Sequence, residues 1–291
     1  MRSKLFVPGI RPELFAKACA GDADAVSFDL EDAVPSARKA EARAAVAAFL
    51  LARTQPGTEK QAIVRVNGVE SGGLDDDLAA IVPAGPALVN LPRVESAEQV
   101  RAAVAAIERV ESARSLAPSV RLLLNIETPR GLRRAADIAC AHPRVAGLQL
   151  GLGDLFEPHG IRRDEPANVR EAMFRVAMAA AEAGVFACDG AHPDYTDPCG
   201  FEGEARMARA LGFVGKSCIH PRQVAWANAI FAPTQDELAW ARRVVDAARR
   251  AEAEGRAVFT VDGRMVDAPY LLRAQRLLGI AGAKAGEPCA G

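Results

Sequence analysis

Along most of the chain, short apolar runs alternate with longer stretches in which apolar residues recur at helical spacing. The runs Lys4–Val7, Ala25–Leu30, Ala62–Val66, Ala87–Leu91, Val120–Ile126, Val145–Leu150, Val185–Cys188 and Lys216–Ile219 read as strands. Between them, Pro12–Ala20, Ala37–Leu51, Asp75–Ile81, Ala97–Ser112, Arg130–Ala141, Asn168–Ala183 and Glu202–Leu211 read as alanine-rich helices. The strands are nearly unbroken apolar segments, as expected of a parallel sheet buried on both faces. About eight such β/α units close a (β/α)8 TIM barrel. A doubly wound open sheet would need a boundary or a reversal of strand order, and no linker or composition break supplies one.

After the eighth strand the pattern changes. Arg222–Ile230 and Gln235–Glu254 read as helices, the second started by Thr234 as N-cap. Within Ala257–Val266, two β-like arms flank Asp262-Gly263, a strong hairpin signal because a type I′ turn takes positive φ at both central residues. A last helix is expected over Tyr270–Leu278, then a small, polar, mobile tail. The expected division is a barrel over residues 1–231, a helical and hairpin extension over 232–280, and the tail over 281–291.

Charge and composition narrow the class. Among 291 residues, 36 cations face 37 anions for a net charge of −1, so no dense cationic face selects a phosphate backbone and no nucleic-acid partner is expected. No apolar stretch approaches the ~20 residues of a spanning helix, so no membrane partner is expected. The apolar run at the start is too short for a signal peptide and meets Pro8 at once. The six cysteines lie far apart with no Cys-x-x-Cys pair, which suits free thiols in a cytoplasmic protein.

In a barrel, polar residues at the C-terminal ends of strands face the mouth where active sites lie. Strand two ends in Asp29, Glu31 and Asp32, strand three carries Arg65 and Asn67, strand five ends in Glu127, strand six in Gly153-Asp154, and strand eight in His220. Glu127 and Asp154 close consecutive strands ~4.8 Å apart. They could share one Mg²⁺ whose octahedron is completed by water and a chelating substrate, or each could cap the helix after its strand. Arg65, among valines, fits either an anionic ligand or a salt bridge with Glu31 or Asp32. Asp29, Glu31 and Asp32 cannot all ionise close together without cations nearby, so one or two fit as partners of metal-bound water or of Arg65. Gly153, beside Asp154, lets backbone N–H groups approach a substrate carboxylate. Lys39 reads as part of a solvated helix face, or, from its place near the helix start, as a residue that reaches the mouth, and His220 as a hydrogen-bonded core residue ahead of an acid–base group.

Seven stretches in order, from Arg2-Ser-Lys-Leu-Phe-Val-Pro-Gly9 through Phe28-Asp-Leu-Glu-Asp-Ala-Val34, Arg65-Val-Asn-Gly68, Leu91-Pro92, Ile126-Glu-Thr-Pro-Arg-Gly131 and Gly212-Phe-Val-Gly-Lys-Ser-Cys-Ile-His-Pro221 to Gly263-Arg-Met-Val-Asp267, resemble the citrate lyase β-subunit-like branch of the HpcH/HpaI aldolases. The resemblance runs from about Arg2 to Leu278. It implies a TIM barrel, a divalent metal on Glu127 and Asp154, Arg65 at the reacting oxygens, and a homo-oligomer, trimer or hexamer. It also implies that Asp267, carried on an extension lidding a neighbouring subunit, is an acid/base group. Two positions depart from the family pattern: Arg93 stands where many members have lysine, and Gly153 where citrate lyase subunits have an acidic residue. The implied activity is Mg²⁺-dependent carbon–carbon cleavage or formation of a β-hydroxyacyl-CoA such as malyl-CoA or citramalyl-CoA, giving an acyl-CoA and a small 2-oxo acid. Rival readings are a CoA thioesterase, an aldolase acting on free pyruvate, a citrate lyase β subunit working on an acyl-carrier thioester, and a non-catalytic binding barrel.

Overall fold

A computed structural model describes residues 1–52 and 60–283. The chain falls into two compact units divided after Phe231. In the first, eight strands form a closed parallel barrel in sequence order: β1 (Ser3–Pro8), β2 (Ala25–Asp29), β3 (Gln61–Arg65), β4 (Leu88–Leu91), β5 (Arg121–Ile126), β6 (Val145–Leu150), β7 (Phe186–Asp189) and β8 (Gly215–Cys218). Closure comes from β1 pairing with β8, Lys4 opposite Ser217. Strict alternation sends Leu5 and Val7 outward against helices while Lys4 and Phe6 turn inward. Phe28 works the same way, its ring 4.9 Å from Phe15 and 5.6 Å from Phe49 on the surrounding layer.

The interior is stratified. Ala25, Ile63, Leu88 and Leu123 form a small apolar cluster of their own. Further along the strands the inward positions turn polar, with Lys4, Ser27, Asn90, Asn125, Gln149 and Ser217 all buried. Buried polar groups are tolerable only when paired, and here most are paired with one another.

Several helix limits differ from expectation for local reasons. The stretch expected as one helix over Arg130–Ala141 is two, Pro129–Arg133 and Ala135–Ala139, broken at Arg134. The helix expected from Glu202 starts at Pro198, because Asp197 caps it by accepting from Gly200 N at 3.0 Å. A short helix, Leu152–Phe156, follows β6 where only a loop was expected. Among the described residues, Cys140, Cys188, Cys199 and Cys218 are free thiols, and no helix is long and apolar enough to cross a membrane.

The second unit holds the helix Gln235–Ala253, with a full capping box between Thr234 and Glu237, then β9 (Phe259–Val261), β10 (Arg264–Val266) and the helix Ala268–Ala283. Asp262 and Gly263 have φ of 53° and 76°, as a type I′ turn demands. The helix and hairpin close over Ala241, Val244, Val261, Val266 and Ala274. The last helix outruns its expected end at Leu278; the rest of the tail, Cys289 included, lies outside the described residues.

Candidate active site at the barrel mouth

The segment after β2 is built around Arg65. The Asp29 carboxylate accepts from Arg65 Nε at 2.8 Å and Nη2 at 2.6 Å, and from the backbone N–H groups of Glu31 at 2.9 Å and Ala33 at 3.2 Å. Arg65 Nη1 lies 3.0 Å from Glu31 and 3.4 Å from Asp32. Of the two readings of Arg65, the structure shows the salt bridge, with Asp29 as chief partner ahead of the expected Glu31 and Asp32. The cluster holds Arg65 firmly protonated against its burial, while burial pushes Glu31 up to about 8, with Arg65 opposing and Asp32, Glu127 and Asp29 adding to the rise.

Lys39 is not part of a solvated face. Its ammonium donates to the carbonyls of Leu30 at 2.8 Å and Glu31 at 2.7 Å and to Asn67 Oδ1 at 2.7 Å, which stitches the acidic segment to the end of β3. Asn67 is held in turn by Asp77, which accepts from its backbone and side-chain nitrogens at 2.8 and 2.7 Å.

Glu127 is 3% exposed and faces the barrel interior. Helix capping is not its job, because Thr128 caps the next helix by accepting from Gly131 N at 3.0 Å. Instead Glu127 Oε1 accepts from Arg93 N at 2.7 Å and Oε2 from Asn125 Nδ2 at 3.0 Å. Gly151 makes room: a methyl there would lie 2.5 Å from both Cβ and Oε2 of Glu127. Asp154 sits in the first turn of Leu152–Phe156, with Arg93 Nη2 3.4 Å from its Oδ1. Burial first, and the negative charge of Asp154 second, push Glu127 up to about 7. The charge of Asp154 thus acts on Glu127, and a cation held between the two carboxylates would offset it. The pair's all-oxygen donor set suits a hard divalent ion, which takes one or two carboxylates and fills its remaining positions with water and substrate. Among the described residues no group of three or more His, Cys, Asp or Glu converges as a metal site.

Arg93 went unrecognised as a site residue in the sequence. It adopts a left-handed conformation, φ 51°, which turns its amide onto Glu127 and its guanidinium toward Asp154, Asp32 and Glu31 at 3.4, 3.8 and 3.9 Å. Nothing crowds Gly153, where an added methyl would meet open space. His220 is half-buried rather than core, stacked on Tyr195 at 4.7 Å. Asp267 lies in the second unit, at the junction of β10 and the last helix, and its buried Oδ1 accepts no hydrogen bond among the described residues.

An eight-stranded barrel with an arginine and two carboxylates at the C-terminal ends of its strands has its polar cluster where TIM-barrel enzymes keep their active sites. Residues 2–221 match the HpcH/HpaI aldolase/citrate lyase family. The chain is 38% identical over 283 residues to the citrate lyase subunit beta of Escherichia coli K12, covering 95% of this chain and 92% of that protein. It is 35% identical to a (3S)-malyl-CoA thioesterase of Cereibacter sphaeroides, covering 95% and 93%. Among solved structures, CitE of Mycobacterium tuberculosis in complex with magnesium, acetoacetate and coenzyme A matches with a TM-score of 0.72 and 36% identity, over 97% of this chain and all of that one. The protein belongs to the HpcH/HpaI aldolase/citrate lyase family, and is a lyase of the citrate lyase β-subunit type.

Proposed function

We propose that the protein is a Mg²⁺-dependent carbon–carbon lyase that cleaves, or forms, a β-hydroxyacyl-CoA such as malyl-CoA or citramalyl-CoA. The products are an acyl-CoA and a small 2-oxo acid. The observation that carries this reading is the Glu127–Asp154 pair on consecutive β/α units beside an arginine seated by Asp29. A related protein bound to magnesium, acetoacetate and coenzyme A supports the ligand class.

In this reading Glu127 and Asp154 would hold Mg²⁺, which would supply Lewis-acid polarisation of the bound oxo acid. When the C–C bond breaks, the substrate hydroxyl gives up its proton to solvent and becomes the oxo acid's carbonyl, and the bond's electron pair passes to the acyl-CoA fragment as an enolate. Arg65 stabilises the enolate oxygen. Of its five N–H donors Asp29 takes two and Nη1 faces Glu31 and Asp32, which leaves one Nη2–H for the enolate. A donor of this kind is worth roughly 10²–10³ in rate. Asp267, supplied by a neighbouring subunit of a homo-oligomer, exchanges a proton with the enolate carbon. Gly153, uncrowded next to Asp154, leaves backbone open to a substrate carboxylate.

A second reading, thioester hydrolysis on the same site, is favoured by the thioesterase relative. Incubation with Mg²⁺ and a panel of hydroxyacyl-CoA esters separates the two. Release of a 2-oxo acid with acyl-CoA supports the lyase; free CoA with intact hydroxy acid and no oxo acid overturns it in favour of hydrolysis.

A further inference from the structure

A line of buried polar side chains crosses the barrel and ends on Glu127. Lys4 on β1 is fully buried, and its ammonium bonds to amide oxygens rather than to a carboxylate. Its Nζ donates to Asn90 Oδ1 on β4 at 3.2 Å and to Gln149 Oε1 on β6. Asn90 Nδ2 donates to Asn125 Oδ1 on β5 at 2.7 Å, and Asn125 Nδ2 donates to Glu127 Oε2 at 3.0 Å. Asn90 and Asn125 are at most 1% exposed.

The direction of every link is fixed by chemistry. An ammonium can only donate, a carboxylate only accept, and Asn90 Nδ2 also meets the Leu123 carbonyl at 3.0 Å, which can only accept. Neither amide can flip without setting like groups against each other. The chain is thus polarised one way, from a buried cation to one carboxylate oxygen, and such chains strengthen cooperatively in a low-dielectric interior. A buried ammonium held by amide oxygens is costly, and its placement here has a function-side explanation.

We propose that Lys4 is a positioning residue of the acidic site: through Asn90 and Asn125 it orients the Glu127 carboxylate, and so sets the affinity for the divalent cation. This rests on the reading of Glu127 and Asp154 as the Mg²⁺ pair. Burial pulls the Lys4 ammonium down to about 8, so it still carries its charge at neutral pH.

The test is Mg²⁺ titration by calorimetry, without substrate, on full-length Lys4→Met, Asn125→Leu and the double variant, with melting temperatures recorded alongside. Outer partners of metal ligands typically contribute 10–100-fold in metal affinity. Lys4→Met should weaken Mg²⁺ binding about tenfold, and the double variant should bind no more weakly than Asn125→Leu alone, while losses in melting temperature accumulate. Should Lys4→Met fail to fold, Lys4→Gln keeps N–H donors without the charge, and should show a smaller loss of the same kind. Unchanged Mg²⁺ affinity in the Lys4 variants, or losses that multiply in the double variant, would overturn the relay while leaving the metal pair standing. Wild-type protein that binds no Mg²⁺ would overturn the metal reading itself.

Discussion

Gly151→Ala tests the site's central packing decision with one methyl group. At 2.5 Å from Cβ and Oε2 of Glu127, the new carbon must open a gap of about 0.9 Å to reach the 3.4 Å where ordinary contact begins. Oε2 could swing away, but Cβ is fixed by β5, so Glu127 or the turn after β6 has to move bodily. Overpacking of this kind costs about 1–3 kcal/mol. A displacement near 1 Å in a catalytic group costs about 10²-fold in rate. The expected outcome is a melting temperature lower by several degrees, Mg²⁺ affinity at least ~10-fold weaker, and turnover of the best hydroxyacyl-CoA down about 10²-fold. Gly153→Ala is the matched control, because its methyl meets nothing within 4 Å and should leave the melting temperature unchanged. Wild-type Mg²⁺ affinity and turnover in Gly151→Ala would refute the placement of Glu127 as the metal-facing carboxylate.

Arg65→Lys keeps the charge but loses the two-pronged bond to Asp29; it should lower kcat about 10²-fold with a near-normal circular dichroism spectrum. Arg65→Ala should also lose stability, on the order of 3–5 kcal/mol, because it strands the carboxylates that the guanidinium now neutralises, so denaturant melts must accompany its kinetics. If Asp267 serves a neighbouring subunit, co-refolding two inactive variants, Asp267→Asn and Arg65→Lys, should restore activity that neither has alone; its absence in a verified mixed oligomer argues for action within one subunit. On the far side of the barrel, Glu204 shares the buried Lys216 ammonium with Asp189, and although burial opposes it, Lys216, His192 and Arg163 hold Glu204 well below the usual carboxylate range. A depressed folded-state value adds stability that is complete above the unfolded value of about 4.3 and lost as pH falls below it. Glu204→Gln should therefore flatten the decline of urea-melt stability between about pH 5 and 3, and an unaltered acid limb would disprove the assignment.

The strand positions were readable because burial on both faces writes a continuous apolar run, and the hairpin because Asp262-Gly263 supplies the two positive φ angles its turn needs. The candidate site residues were singled out by their place at strand ends, which the barrel topology converts into nearness at one mouth. Partnership was less legible. Asp29 was grouped with its acidic neighbours, yet it is the residue that grips Arg65, because only its side chain faces both that guanidinium and its own turn amides. Lys39, on a helix pattern that suited solvent, reaches back to carbonyls that sequence does not reveal as unsatisfied.

By itself, the sequence determined the order of elements, the closure of eight units into a barrel, the family, and which acids stand at strand ends, since each depends on periodicity or short motifs within one segment. Only the tertiary structure decided that Arg93 turns its amide onto Glu127, that Gly151 clears space for that carboxylate, and that Lys4 reaches it through two asparagines. Apart from the two-residue step from Asn125 to Glu127, those links join residues 24 to 86 positions apart. Their side chains meet only because barrel closure turns them toward a common interior, where a polar group without a partner is too costly to leave alone.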